Sequence, residues 1–177
     1  MNFLYTGSQI FNVPQTNPDE SLGGFISNSS VPNDLSGNLF NNISLLGQER
    51  GYAETKAIVL KNETGGDVTN VYLYHNYPAN DIVTLEWAPV TVPDGKKMEA
   101  ISVIRSSPLV GVFSEPDGVG NKILLANSLL DGGVIGLWAR RTIDSPNPVN
   151  SVDAEDLEAY LAALDKEERI EIVVEWT

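Results

Sequence analysis

The sequence predicts a mainly β chain: an antiparallel sandwich behind an extended N-terminal arm. Three observations carry this expectation. From residue 56 onward, apolar runs of strand length recur with Gly, Pro, Asn and Asp between them, the spacing of a sandwich or barrel. These runs are rich in Val, Ile, Tyr, Trp and Thr, which pack well on a pleated, half-buried surface. The opening 50 residues carry so many Asn, Ser, Gly and Pro that long elements are not expected there.

The chain divides into an arm, residues 1–50, and a sandwich domain, residues 51–177. In the arm, turn formers such as Asn12, Pro14, Pro18, Gly23, Gly24 and Pro32 cut the apolar residues into short patches. Large anchors remain, among them Phe3, Phe11, Leu22, Phe25 and Phe40, and a disordered linker rarely carries so many. The anchors pack either on the chain's own body or on a neighbouring subunit. Burying one aromatic gains ~1.5–3 kcal/mol, while ordering each backbone residue costs ~1–2 kcal/mol. The long Asn/Ser/Pro stretches therefore leave little surplus on one domain, and the arm is expected to dock on a partner. The candidate interface is Phe3, Phe11, Leu22, Phe25 and Phe40, with Arg140 and Arg141.

In the body, residues 56–61 (KAIVLK) run into the loop-like stretch 62–67. Residues 69–75 (TNVYLYH) end at Asn76-Tyr77-Pro78, and 82–88 (IVTLEWA) end at Pro89. Residues 97–104 (KMEAISVI) follow Pro93-Asp94-Gly95, and 109–113 stop at Glu115-Pro116-Asp117-Gly118. Residues 122–126 lead to Asp131-Gly132-Gly133, and 134–141 follow. Alternation assigns the faces, because successive strand side chains point to opposite sides. Val83, Leu85 and Trp87 share one face, with Thr84 and Glu86 on the other. Near the end, Ile170, Ile172, Val174 and Trp176 oppose Glu171 and Glu175. Residues 134–139 are apolar on both faces, as a strand covered on both sides must be. Residues 153–168 place Leu157, Tyr160, Leu161 and Leu164 at helical spacing, one stripe facing the body. The expected fold is an immunoglobulin-like antiparallel β-sandwich with one C-terminal amphipathic helix before its last strand.

Charge and composition narrow the chemistry. Lys+Arg 11 against Asp+Glu 24 gives a net charge of −13, which opposes gripping nucleic acid or an anionic membrane. The arm has no Lys or Arg up to Gly47, whereas residues 144–177 hold much of the acid. There is no Cys and a single His, so thiolate sites and paired-histidine zinc motifs are excluded. Residues 1–11 lack the basic start of a secretory signal, and no run approaches the ~18–20 apolar residues of a membrane helix. The sequons at Asn28, Asn42 and Asn62 are then expected by chance in an Asn-rich chain. His75 continues the Val71 and Leu73 face at a strand end, the place of a structural histidine, and no nucleophile elbow accompanies it. Glu86 falls on the outer face, which reads as a solvated glutamate rather than half of a glycosidase pair. Asp94, Asp117 and Asp131 each precede Gly, which is turn chemistry. Glu115, Asp117 and Asn121 lack the glutamate-terminated calcium loop. Arg140 and Arg141 are neighbours on a strand and point to opposite faces, so each fits a cross-strand or interface ion pair. The expectation is no enzyme and no cofactor.

The segments Ser21-Leu22-Gly23-Gly24, Asn38-Leu39-Phe40 and the run from Gly51 through Tyr52, Ala53 and Glu54 to Asn62 resemble the opening of small tailed-bacteriophage virion structural proteins. Gly136-Leu137-Trp138-Ala139-Arg140-Arg141-Thr142 resembles their characteristic late strand. The acidic helix and the strand ending at Trp176 lie outside the resemblance. It implies an assembly role without catalytic residues, at the neck, tail or capsid surface. The implied partners are other virion proteins and further copies of the chain, in a virion assembled in the bacterial host cytoplasm. The alternative is a sandwich that recognises carbohydrate by stacking Trp87, Trp138 and the Tyr72/Tyr74 pair on sugar rings.

Overall fold

The computed structural model describes residues 1–33, 39–40, 51–76, 83–144 and 171–177. Among them the strands are β1 (Asn2–Tyr5), β2 (Gly23–Phe25), β3 (Tyr52–Lys61), β4 (Val68–Asn76), β5 (Val83–Val90), β6 (Lys97–Ala100), β7 (Ile123–Leu129), β8 (Val134–Ile143) and β9 (Glu171–Glu175). They form a four-stranded sheet in the order β1-β3-β8-β5, a three-stranded sheet β7-β4-β9 and a pair β2-β6. All ladders are antiparallel. The mainly β expectation therefore holds.

The centre is β3 against β8, paired without a register break from Tyr52↔Ile143 to Lys61↔Val134. Both strands are apolar on both faces, and each face meets a different core. Ile58, Leu60, Leu85, Trp87, Leu137 and Ala139 meet Val71, Leu73 and Leu129 of the three-stranded sheet. On the opposite face Ala57, Val59, Ala88 and Trp138 meet Leu4, Ile26, Val92 and Met98. That second face is covered by the arm, the β2-β6 pair and the segment 101–113, called here the outer layer. Ile172 and Val174 of β9 pack toward the core while Glu171 points to solvent.

Most body strands fall where the apolar runs place them, with ends moved by a few residues. Two do not. The run 97–104 is strand only over Lys97–Ala100, and 109–113 is no strand at all. Gly111 sits at φ +105, and the Glu99 carboxylate takes the Leu109 and Val110 amides at 2.8 and 3.3 Å. Side-chain capture of the amides replaces a ladder, so the run crosses the sheet as irregular chain. It starts at the β3 edge, where Ile104 O accepts from Thr55 N, and ends at the β5 edge, where Ser114 bridges Trp87. The expected helix at 153–168 lies outside the described residues.

The first 33 residues lie against the body and are held by polar side chains as much as by strands. β1 pairs with β3 from Asn2↔Lys61 to Tyr5↔Ile58. Beyond β1, Ser21 Oγ accepts from Thr6 N at 3.0 Å and donates to Ala57 O at 2.5 Å. Thr6 Oγ1 donates to the same carbonyl. The Gln15 amide donates to Thr6 O, and Ser27 Oγ accepts from Gln15 N. These groups are buried, where an unmet donor costs about 1–3 kcal/mol. The Lys56 ammonium, fully buried, reaches Pro18 O at 3.1 Å and Asp19 at 2.6 Å.

Candidate functional site

The outer layer carries the apolar side chains that the cores leave out. Leu109 is 94% and Val112 84% exposed, and Val103 and Val110 are each more than half exposed. Ile10, Phe11 and Val13 of the arm are exposed as well. Isolated exposed apolar residues are ordinary, but several on one layer mark an interaction surface. The same layer holds cations over aromatic faces: Lys96 Nζ lies 5.9 Å from the Phe11 ring, Lys97 Nζ 5.1 Å from Phe25, and the Arg105 guanidinium 4.9 Å from Tyr52. Burial pushes the Tyr52 hydroxyl pKa up, with Glu54 adding to it.

The seven residues expected at an interface do not form one patch. Phe11 and Phe25 lie on the outer layer under Lys96 and Lys97, and Leu22 is half-buried there, its carbonyl accepting from Ile101 N. Phe3 and Phe40 pack instead against the core shared with the three-stranded sheet. Arg140 and Arg141 point to opposite faces of β8. Arg140 binds Glu86 through two bonds of 2.7 and 2.9 Å, cross-strand on β5, and stacks 4.1 Å from Phe113. Arg141 pairs with Glu54, cross-strand on β3, and stacks on Phe40. The exposed Val103, Leu109, Val110 and Val112 were not separable from a buried strand by composition. Ser106-Ser107-Pro108 between Val103 and Leu109, and Gly111 between Val110 and Val112, are the signals that mark an irregular crossing.

On the far side, Tyr72 and Tyr74 share the outer face of the three-stranded sheet. Lys122 Nζ stands 4.5 Å from the Tyr72 ring and 2.9 Å from Glu175, whose other oxygen accepts from Tyr74 OH at 3.2 Å. The hydrogen bond to Lys122 holds the Glu175 carboxyl below its usual range, and the same bond raises the Lys122 pKa. A shallow hollow of about 420 Å³ is lined there by Asn70, Tyr72, Lys122, Glu175, Trp176 and Thr177. Trp87 and Trp138, by contrast, are 0% exposed. They are core side chains and offer no stacking platform, which corrects that part of the carbohydrate expectation.

His75 is buried at the end of β4, where its backbone bonds Pro116 O and Gly118 N. Its Nδ1 has no hydrogen-bond partner among the described residues, and desolvation lowers its pKa against the opposing pull of Asp117. Glu115 is pushed up by burial and by the charges of Asp117 and Glu86. The Asn121 amide donates to Glu115 O and to Asp117 Oδ1 at 2.7 and 2.6 Å, which ties these three residues into a hydrogen-bonded turn. Among the described residues no group of three His, Asp or Glu side chains is placed to hold a metal ion. Asn62 is fully buried, donating to Gly66 O, Leu129 O and Leu130 O. Its sequon is structural.

Compared with protein-family models, with curated proteins and with solved structures, the chain finds no match in any of the three.

Proposed function

We propose that this chain is a non-enzymatic structural component of a tailed-bacteriophage virion, an immunoglobulin-like sandwich that docks at the neck, tail or capsid surface through the layer its arm builds. The observation that carries the docking is the exposed apolar segment around Leu109 and Val112, on the same layer as exposed Phe11 and half-buried Phe25. A solvated layer of that kind gains free energy when a neighbour covers it. The segments that carry the family resemblance also belong together in space. The run 51–62 spans β3, Gly136 to Thr142 lies in β8 beside it, and Ser21 ties the arm to Ala57. The arm's polar contacts preorganise the layer, so docking orders less chain than a free arm would require.

The test is particle incorporation. Virions assembled with the tagged chain should retain it at a fixed copy number through purification. Leu109→Glu with Val112→Glu should leave the protein folded and remove it from particles. Absence of the parent chain from intact virions would refute the reading.

A second reading, carbohydrate recognition, is supported by the hollow beside Tyr72, Lys122, Glu175 and Trp176. Binding on a glycan array that disappears with Tyr72→Ala or Tyr74→Ala would favour it over assembly.

A further inference from the structure

Of the chain's tryptophans, Trp87 and Trp138 are 0% exposed, whereas Trp176 is 43% exposed. Its backbone is nevertheless held on both sides. Before it, Glu175 pairs with Tyr72 on the β4-β9 ladder. After it, Thr177 and Thr69 exchange two backbone hydrogen bonds of 2.7 and 3.0 Å. A large ring fixed in place and left in water forgoes burial that a ligand can supply. Tyr72, beside it, stands where the β4-β7 ladder shifts register after Val71. Asn70, just before, takes a φ of 51 and donates its amide to the Thr177 hydroxyl at 3.1 Å. A bulge of this kind re-aims the side chains around it, and here they line the hollow.

The polar side of the hollow is a matched donor and acceptor. Lys122 Nζ and a Glu175 oxygen stand 2.9 Å apart, and Tyr74 OH donates to the other oxygen. An ammonium has three donors and a carboxylate about four acceptor sites, so both keep capacity after these bonds. A donor beside an acceptor suits two adjacent hydroxyls, because each hydroxyl both gives and accepts hydrogen bonds. The same pair disfavours ions. A ligand anion would face the Glu175 carboxylate, and a ligand cation would face the Lys122 ammonium, already 4.5 Å from the Tyr72 ring. A wholly apolar ligand would strip water from Asn70, Lys122, Glu175 and Thr177 without replacing its bonds.

We infer that the hollow takes one ring of a neutral saccharide, with the C–H face on Trp176 and adjacent hydroxyls bridging Lys122 and Glu175. This deepens the carbohydrate reading and rests on it. The volume, about 420 Å³, falls within the ~300–1,000 Å³ of small-ligand sites. The hollow lies on the far side of the molecule from Leu109 and Val112, so a chain docked through its outer layer still presents it.

The experiment puts the full chain on an array of neutral oligosaccharides ending in glucose, galactose, mannose or N-acetylglucosamine, printed beside sulfated and uronic-acid counterparts. Neutral glycans should bind, and their anionic counterparts should not. Trp176→Ala and Tyr72→Ala should each lower binding about tenfold while keeping the parent's circular-dichroism spectrum. Acrylamide quenching of tryptophan fluorescence tests the same site without a substitution and covers the case of a variant that misfolds. With Trp87 and Trp138 fully buried, the quencher reads Trp176, which the best-bound neutral oligosaccharide should shield. Preference for the anionic glycans overturns the inference and leaves the carbohydrate reading standing. So does neutral binding that leaves Trp176 open to acrylamide or is indifferent to both substitutions. Binding to no glycan at all overturns both.

Discussion

Strand β8 and the segment 101–113 begin as similar text and end as opposites. Both hold a short apolar run containing one glycine, Val134 to Ala139 in one and Leu109 to Phe113 in the other. Leu137 is 0% exposed and Leu109 is 94% exposed. β8 has a ladder on each side, to β3 and to β5, and its Gly136 lets Met98 and Val90 approach where a Cβ would sit 2.9 to 3.1 Å from them. Among the described residues the segment 101–113 joins no ladder. Its amides at 109 and 110 go to Glu99, and Gly111 turns at positive φ over Ala88. An apolar run becomes a buried strand when neighbours satisfy its backbone on both sides; otherwise the backbone finds other acceptors and the side chains stay out.

The largest effect should therefore come from the core half of this comparison. Leu137→Ala should destabilise the chain by about 2–5 kcal/mol, as truncation of a buried leucine does. Urea unfolding measures it, and a change below about 1 kcal/mol would mean that this face of β8 is not packed as described.

Next is the seam that joins arm to body. Ser21→Ala deletes the acceptor of the buried Thr6 amide, while Ala57 O keeps its bond from Thr6 Oγ1; the expected loss is about 1–3 kcal/mol. Hydrogen exchange should localise the change to residues 5–6 and 21–23, where protection falls first. If the whole arm exchanges freely in the parent chain, the seam is not closed in solution, and the arm returns to the role of a free docking segment.

His75 gives a smaller, pH-dependent effect. Its folded pKa is depressed by burial, so the unfolded chain takes up a proton before the folded one does. The contribution is fully present above the unfolded value of about 6.5 and is lost as pH falls below it toward the folded pKa. Unfolding midpoints measured between pH 7.5 and pH 5 should drop more in the parent than in His75→Gln. Equal slopes would show that the ring is solvated.

Much of this arrangement was legible beforehand, and the reasons differ by region. β3, β4, β5 and β8 announce themselves because a buried face forces apolar residues into alternation or, when both faces are buried, into a continuous run. The same phase argument placed Arg140 and Arg141 on opposite faces and His75 toward the core. It also put Trp87 on one face with Val83 and Leu85, yet the carbohydrate alternative still counts Trp87 as a stacking side chain, which its full burial corrects. β1 and β2 were not legible, being 4 and 3 residues long and formed through the partner they pair with. Gly23 shows why: a Cβ there would stand 1.8 Å from Glu99 O, a requirement set by a residue far away in the chain. The exposed surface around Leu109 was hidden for the opposite reason, since nothing in five apolar letters states which neighbours are missing.

The smallest expected effect on stability sharpens the comparison most. Leu109→Ser removes the same kind of side chain as Leu137→Ala, but from a position whose contacts are mainly with water. Its backbone amide, held by Glu99, is untouched by the substitution. The unfolding free energy should therefore shift by no more than about 0.5 kcal/mol, the range of surface changes away from special features. Incorporation into particles should nevertheless fall, because the apolar area lost is area that only a partner can bury. A Leu109→Ser chain that unfolds as easily as Leu137→Ala would mean that residues 109–113 pack inward in solution, and the outer layer would lose its claim to be an interface. Unchanged stability with impaired assembly separates the two leucines by what covers them: the chain itself in one case, a neighbour in the other.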